Sequence, residues 1–285
     1  MPFHHSAVIL RATLLGCALL ALPSQALAQQ PVLPPPQPTL DQVLTAVQDN
    51  FYAYLSTVPN LFADEHLVST VNGRGVANTD TTTDSIFRLK RAATDDHTMD
   101  LVESREIKAV NNRTARPDQA LTGPSILTGI FSYAALDLSP ELKRCYDYRL
   151  LPNQRLYRAT ILVVDYSLKP TLPTDIKCPV TEPIMGRAFI DPISMQIVRI
   201  EQQLPKHDVY NGRRGLWSWS VDYAPENLGG KVFWLPQTIS SKSSITSGQS
   251  VKWAYVATYR NYHLLTVTSI ILPAGADPAP ASSAK

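Results

Sequence analysis

From Leu61 onward the apolar residues of this chain change their spacing from that of a helix to that of a strand, and the switch constrains the fold more than any other feature. Before it, Thr39 opens a helix. Thr39 and Gln42 have capping-box spacing, and Leu40, Val43, Leu44, Val47, Phe51, Tyr54 and Leu55 form one apolar stripe that Pro59 ends. After it, Leu61–Val71, Ser85–Ala93 and Thr98–Val110 read as strands, with the polar stretch from Asn72 to Asp84 as a loop. Asn111 to Pro124 is a further loop. Ser125–Leu138 then reads as a second helix, capped at Ser125 and stopped before Pro140.

The rest is β. Arg144–Leu150 and Arg155–Tyr166 form a hairpin around a turn at Leu151–Gln154, and a proline-punctuated segment runs from Lys169 to Pro183. Gly186–Asp191 and Gln196–Gln202 flank the turn Pro192–Met195. Leu216–Tyr223, Lys231–Ser241 and Val251–Tyr262 follow, with Gly229-Gly230 and Ser247-Gly248 as turns. Leu264–Leu272 is either a last strand or the end of the one before. The predicted class is α+β: a strongly curved antiparallel sheet, a half-barrel of about nine to eleven strands, covering the helices Thr39–Val58 and Ser125–Leu138 in one domain spanning 39–272.

Residues 1–28 have the order of a cleavable secretory signal: one cation at Arg11, an apolar run from Ala12 to Leu22, Pro23, and the triplet Ala26-Leu27-Ala28. The run is too short to span a bilayer, and cleavage is expected after Ala28. Leu14-Leu15-Gly16-Cys17 resembles a lipoprotein box, but Cys17 lies inside the apolar run, which disfavours acylation there. The expected location is the periplasm or the secreted space, with no transmembrane segment once the signal is removed. Residues 29–38 (QQPVLPPPQP) read as a proline-rich tether and 273–285 as a disordered tail.

Beyond the signal, basic and acidic side chains nearly balance, 25 against 24. That gives no electrostatic footprint for a nucleic-acid partner. Only Cys145 and Cys178 remain in the exported part. An even pair without CxxC spacing predicts a structural disulfide.

Catalytic motifs are missing. The sequence has no GxSxG elbow, phosphate-cradling glycine loop or HExxH helix. His66, His97, His207 and His263 are scattered. Asp64 with His66, and Asp95-Asp96-His97, each supply too few ligands for a metal, and Glu182 and Asp191 are weighed as an acid–base pair and set aside as solvated carboxylates. No catalytic residue, metal or cofactor is therefore expected. Aromatic residues crowd the last three strands. Trp217, Trp219, Phe233, Trp234, Trp253 and Tyr255 either pack against the helices or line an apolar groove.

Several segments together carry a resemblance. They are Leu55–Asn60, the run Gly186–Glu201, Trp219–Pro225, Leu235–Thr238 and Tyr259–Tyr262. In this order the chain resembles a group of uncharacterised secreted bacterial proteins and, more loosely, the Lol-type periplasmic lipoprotein and lipid carriers. That resemblance implies an eleven-stranded curved sheet cradling helices, with acyl chains held in the concavity. No acyl-binding position of the carriers maps onto this chain, and the long polar loop and the Cys145–Cys178 segment depart from the simplest carriers. The leading expectation is a non-enzymatic envelope domain that binds a lipid or lipidated partner. The alternative is an envelope protein–protein interaction module.

Overall fold

The computed structural model describes residues 37–73, 77–93, 99–121, 127–156, 158–178, 180–210, 213–245 and 251–265. The expected signal, most of the tether, the tail, Ser125, the Asp95-Asp96-His97 cluster and the Ser247-Gly248 turn lie outside them.

Helix α1 spans Leu40–Thr57 and begins at the anticipated capping box. The Gln42 N–H donates to the Thr39 hydroxyl, and the Gln42 side chain accepts from the Thr39 N–H at 2.8 Å. Val43, Leu44, Val47, Gln48 and Phe51 are its buried stripe. Gln48 is the polar exception, and its amide donates to the Leu138 carbonyl at 2.9 Å, which satisfies it inside the core.

Among the described residues eleven strands follow: β1 (Leu61–Gly73), β2 (Thr79–Ala93), β3 (Met99–Val110), β4 (Arg113–Thr114), β5 (Tyr146–Leu156), β6 (Ala159–Leu168), β7 (Met185–Ile190), β8 (Ile197–Tyr210), β9 (Arg213–Leu228), β10 (Lys231–Ile245) and β11 (Val251–Leu264). Between β4 and β5 lie the one-turn helix α2 (Ile130–Tyr133) and two 3₁₀ turns. All strands join one antiparallel sheet in the order β4-β3-β2-β1-β11-β10-β9-β8-β7-β6-β5. The sheet is open, with β5 at one edge and β3–β4 at the other. Sequential hairpins supply every neighbour except β1–β11, so the two halves of the chain are joined by one long-range pairing.

A two-residue repeat puts one set of side chains from every strand on one face. Register carries that set across the sheet: Val164 faces Ala188, then Ile200, Val221, Ile239, Ala257 and Leu67. All seven are buried. They share one core cluster with Val43, Leu44 and Val47 of α1 and Phe131 of α2. In the next row Gly186 lies opposite Tyr166, whose ring crosses the space a side chain would take; a Cβ there would sit 2.0 Å from a ring carbon.

Three expectations are corrected. Within the described part of the expected helix Ser125–Leu138, α-helix is confined to Ile130–Tyr133. Gly129 has φ +81°, a left-handed start that no α-helix continues through, and the Glu103 carboxylate captures the N–H groups of Gly129 and Ser132. The hairpin turn falls beyond Leu156, with Arg158 at φ +72°, while residues 151–154 form a bulge. Pro152 is tolerated there because β5 is an edge strand. The polar loop before Asp84 is shorter than expected, since the β-branched run Thr79–Thr83 pairs with Val71–Leu67. Shifts in register also fall at Pro205 and Pro236, where no N–H is available to the ladder. At the anticipated β9–β10 turn, Gly229 and Gly230 adopt φ +61° and +81°, as a tight hairpin demands.

Candidate functional site

An apolar crevice opens where α1 meets α2 and the strands β8–β10. Val47, Asn50, Phe51 and Tyr54 form its α1 wall; Phe131, Ser132 and Ala135 close one end; Gln196, Ile197, Tyr223 and Trp234 come from the sheet side. Its free volume is about 50 Å³. A single helix turn spacing explains the α1 wall, since residues three and four apart share a face.

Two sets of hydrogen bonds hold the walls. Asn50 donates to the carbonyls of Ser194 and Met195 at 3.2 and 2.9 Å, tying α1 to the β7–β8 turn. That turn is itself fixed by Asp191, whose carboxylate accepts from the N–H groups of Ser194 and Ile193; the Ser194 N–H contributes most to holding its pKa below the usual value. On the other side, Glu103 accepts from the Gly129 and Ser132 N–H groups and from the Ser132 hydroxyl, all at 3.0–3.1 Å. Glu103 thus caps α2 from the sheet.

Behind Glu103 lies a buried charge network. Arg105 Nε donates to both oxygens of Glu65 at 2.9 Å, while Ser85 and Tyr259 donate to the same carboxylate at 2.6 and 2.8 Å. The Arg105 guanidinium also lies 5.0 Å from the centre of the Phe87 ring. Phe87 packs on Phe131 and Tyr259, so the ions and the aromatic cluster under α2 are one unit. Sequence reading missed it, although the signal was present. In Leu61, Ala63, Glu65, Leu67 and Ser69 the period-two count puts a carboxylate on the apolar face, which demands a cation elsewhere.

The six aromatic residues singled out above are distributed as follows. Trp234 lines the crevice. Trp219 and Tyr255 flank Ser241 in one row of the apolar face, and Trp217 and Trp253 flank Ser243 in the next. Trp219 and Tyr255 are buried, and the Trp217 indole donates to the Ser241 hydroxyl at 2.8 Å. Phe233 packs on the same core from beside Trp234. Register therefore gathers four of the six into one patch and places Trp234 at the crevice.

The polar candidates make separate pairs. His66 lies 2.7 Å from Asp84, while Asp64 accepts from Asn261. Glu182 lies 2.7 Å from His207, which stacks on Trp217, and it is not paired with Asp191. Among the described residues no three His, Cys, Asp or Glu side chains converge as a metal site would require. Cys145 and Cys178 are joined in a disulfide, with Cα atoms 5.9 Å apart. A larger hollow of about 490 Å³ crosses β5–β8, but it is walled by the cross-strand ladder Arg149–Asp165–Arg187. Both arginines thus spend donors on the one Asp165 carboxylate.

One buried acid is costly. Asp137, between α2 and β5, accepts from the Tyr146 hydroxyl at 2.7 Å, yet burial raises its carboxyl pKa above the ordinary value. A folded pKa above the unfolded value of about 3.9 means that the protonated acid favours the fold, and this contribution disappears as pH rises through the folded value. Asp137→Asn, which keeps an oxygen for Tyr146, is expected to raise the melting temperature at neutral pH and leave it nearly unchanged in acid. Calorimetry across that range checks this; equal shifts at every pH would contradict it.

No family model matches the sequence, and no curated protein matches it. Among solved structures the chain has a distant likeness to Lol-type domains. A LolA superfamily protein from Nitrosomonas europaea is 13% identical, with 81% of this chain and 96% of that chain covered and a TM-score of 0.34. A DUF1329 family protein from Desulfovibrio piger is 13% identical over 79% and 95%, with a TM-score of 0.35. The Mycobacterium tuberculosis lipoprotein LppX is 9% identical over 81% and 99%, with a TM-score of 0.29. Among the described residues no helix is long and apolar enough to cross a membrane.

Proposed function

We propose that this chain is an exported, non-catalytic binding domain of the cell envelope, and that it takes the apolar chain of a lipid or lipidated partner into the crevice under α1. The sheet acts as a half-barrel over 39–272, α1 and α2 cover its apolar face, residues 1–28 are removed as a signal, 29–38 tether the domain, and 273–285 trail from it. The carrying observation is a cleft with uncharged, mostly apolar walls at the seam between a helix and the sheet.

The cleft is small, which fits a ligand-free state with α1 settled against the sheet. Ligand pockets are typically several hundred Å³. Entry of a chain therefore displaces α1, whose hold on the rest includes the hydrogen bonds of Gln48, Asn50 and the Arg91 side chain, the last donating to the Leu55 carbonyl at 2.7 Å. The displaced contacts are replaced by ligand contacts at roughly 25 cal/mol per Å² of apolar area. Trp217, Trp219, Trp253 and Tyr255 extend the apolar face beyond Trp234, and Phe233 supports it. The disulfide fits an oxidising compartment.

Native mass spectrometry of the protein recovered from a bacterial periplasm tests this reading. The expected spectrum carries a lipid-sized mass that organic extraction removes. A bare protein mass in repeated preparations, with no uptake of acyl chains from vesicles, overturns the reading and leaves the interaction module.

A further inference from the structure

We infer that the crevice selects an acyl chain joined through an uncharged ester or amide, and rejects the same chain ending in a free carboxylate; this rests on the binding reading above. Two observations carry it. First, the crevice wall contains no Lys, Arg, His, Asp or Glu among the described residues. Two charges act on Tyr54 from behind the wall, Glu103 and, more weakly, Arg91. Glu103 is occupied by the N–H groups of α2, and the Arg91 side chain donates to main-chain carbonyls at the end of α1. A carboxylate drawn into this space would lose its water and meet the negative Glu103 more strongly than the positive Arg91, which is a costly way to bury a charge.

Second, the wall holds a donor without an acceptor. Tyr54 belongs to the crevice lining, and its hydroxyl oxygen is buried with no hydrogen-bond partner. Burial raises its pKa well above the usual value for tyrosine, so the phenol stays protonated and able to donate. A buried hydroxyl left unsatisfied is uncommon because it forfeits its hydration. A chain that displaces the α1 wall exposes this hydroxyl to the ligand, and a carbonyl oxygen of an ester or amide is the uncharged acceptor that fits it. The side chains of Asn50 and Gln196 line the same space and add amide groups of the same uncharged kind. The wall is thus complementary to a polar, neutral linkage on an otherwise apolar chain.

The experiment uses displacement of N-phenylnaphthylamine from the full-length exported protein by methyl laurate, laurate and dodecane at neutral pH. Methyl laurate is expected to displace the dye at about tenfold lower concentration than laurate, the effect of one satisfied hydrogen bond and one avoided desolvation. Tyr54→Phe is expected to reduce methyl laurate to the level of dodecane while the dye still binds and the melting temperature is kept or raised. If laurate matches methyl laurate, or if the ester keeps its advantage in Tyr54→Phe, the selectivity inference is wrong although the crevice binds chains. If neither the dye nor any of the three compounds binds, the binding reading itself has failed.

Discussion

Arg105→Leu is expected to lower the unfolding free energy by about 3–5 kcal/mol, the cost of stranding a buried carboxylate. Glu65 is fully buried and Arg105 is 9% exposed at the side chain, so water cannot replace the lost guanidinium. The remaining donors, Ser85 and Tyr259, stay in place but bring no positive charge. Arg105→Leu also removes the cation above Phe87 and so loosens the ring cluster under α2. Urea unfolding should show a lower midpoint with little change in slope. The paired substitution Glu65→Gln with Arg105→Met should recover most of the loss, because it removes both charges together. A single variant within about 1 kcal/mol of the parent, the ordinary range for a surface salt bridge, would show that the network is solvated.

Loss of the disulfide ranks next. Cys145 is buried in the core cluster and Cys178 packs on it from the irregular segment after β6, 33 positions away. In the chain-entropy picture a loop of that length contributes about 3–4 kcal/mol by restricting the unfolded chain. Cys145→Ala with Cys178→Ala is expected to lose about that amount. The parent under reducing agent should follow it. A double variant as stable as the oxidised parent would mean that the native contacts around Pro170–Pro183 hold that segment without the bridge.

The two predictions differ in how they were reached. The cysteine pair follows from counting: the two sulfurs beyond the expected signal have one partner each. The ion network does not, because Glu65 and Arg105 are 40 positions apart and meet only through the β1–β2 and β2–β3 registers. The same distinction runs through the candidate site. Trp234 was marked by its aromatic neighbourhood, whereas Asn50, Tyr54, Phe131 and Ala135 looked like ordinary positions of the two expected helices. Tyr54 gains its interest from an unpartnered hydroxyl, which no spacing rule reveals.

Short-range patterns suffice for the local elements: α1 through its capping box and stripe, the strand faces through alternation, and the Gly229-Gly230 turn through the need for positive φ. These depend on neighbours within a few residues, where side-chain geometry is set by the backbone. Long-range contacts settled the short α2, the displaced β5–β6 turn, the β1–β11 pairing and the position of the crevice. Each of those depends on a group distant in the chain supplying a hydrogen bond or a packing surface, as Glu103 does for α2. Burial then made the long-range partner stronger than the local preference.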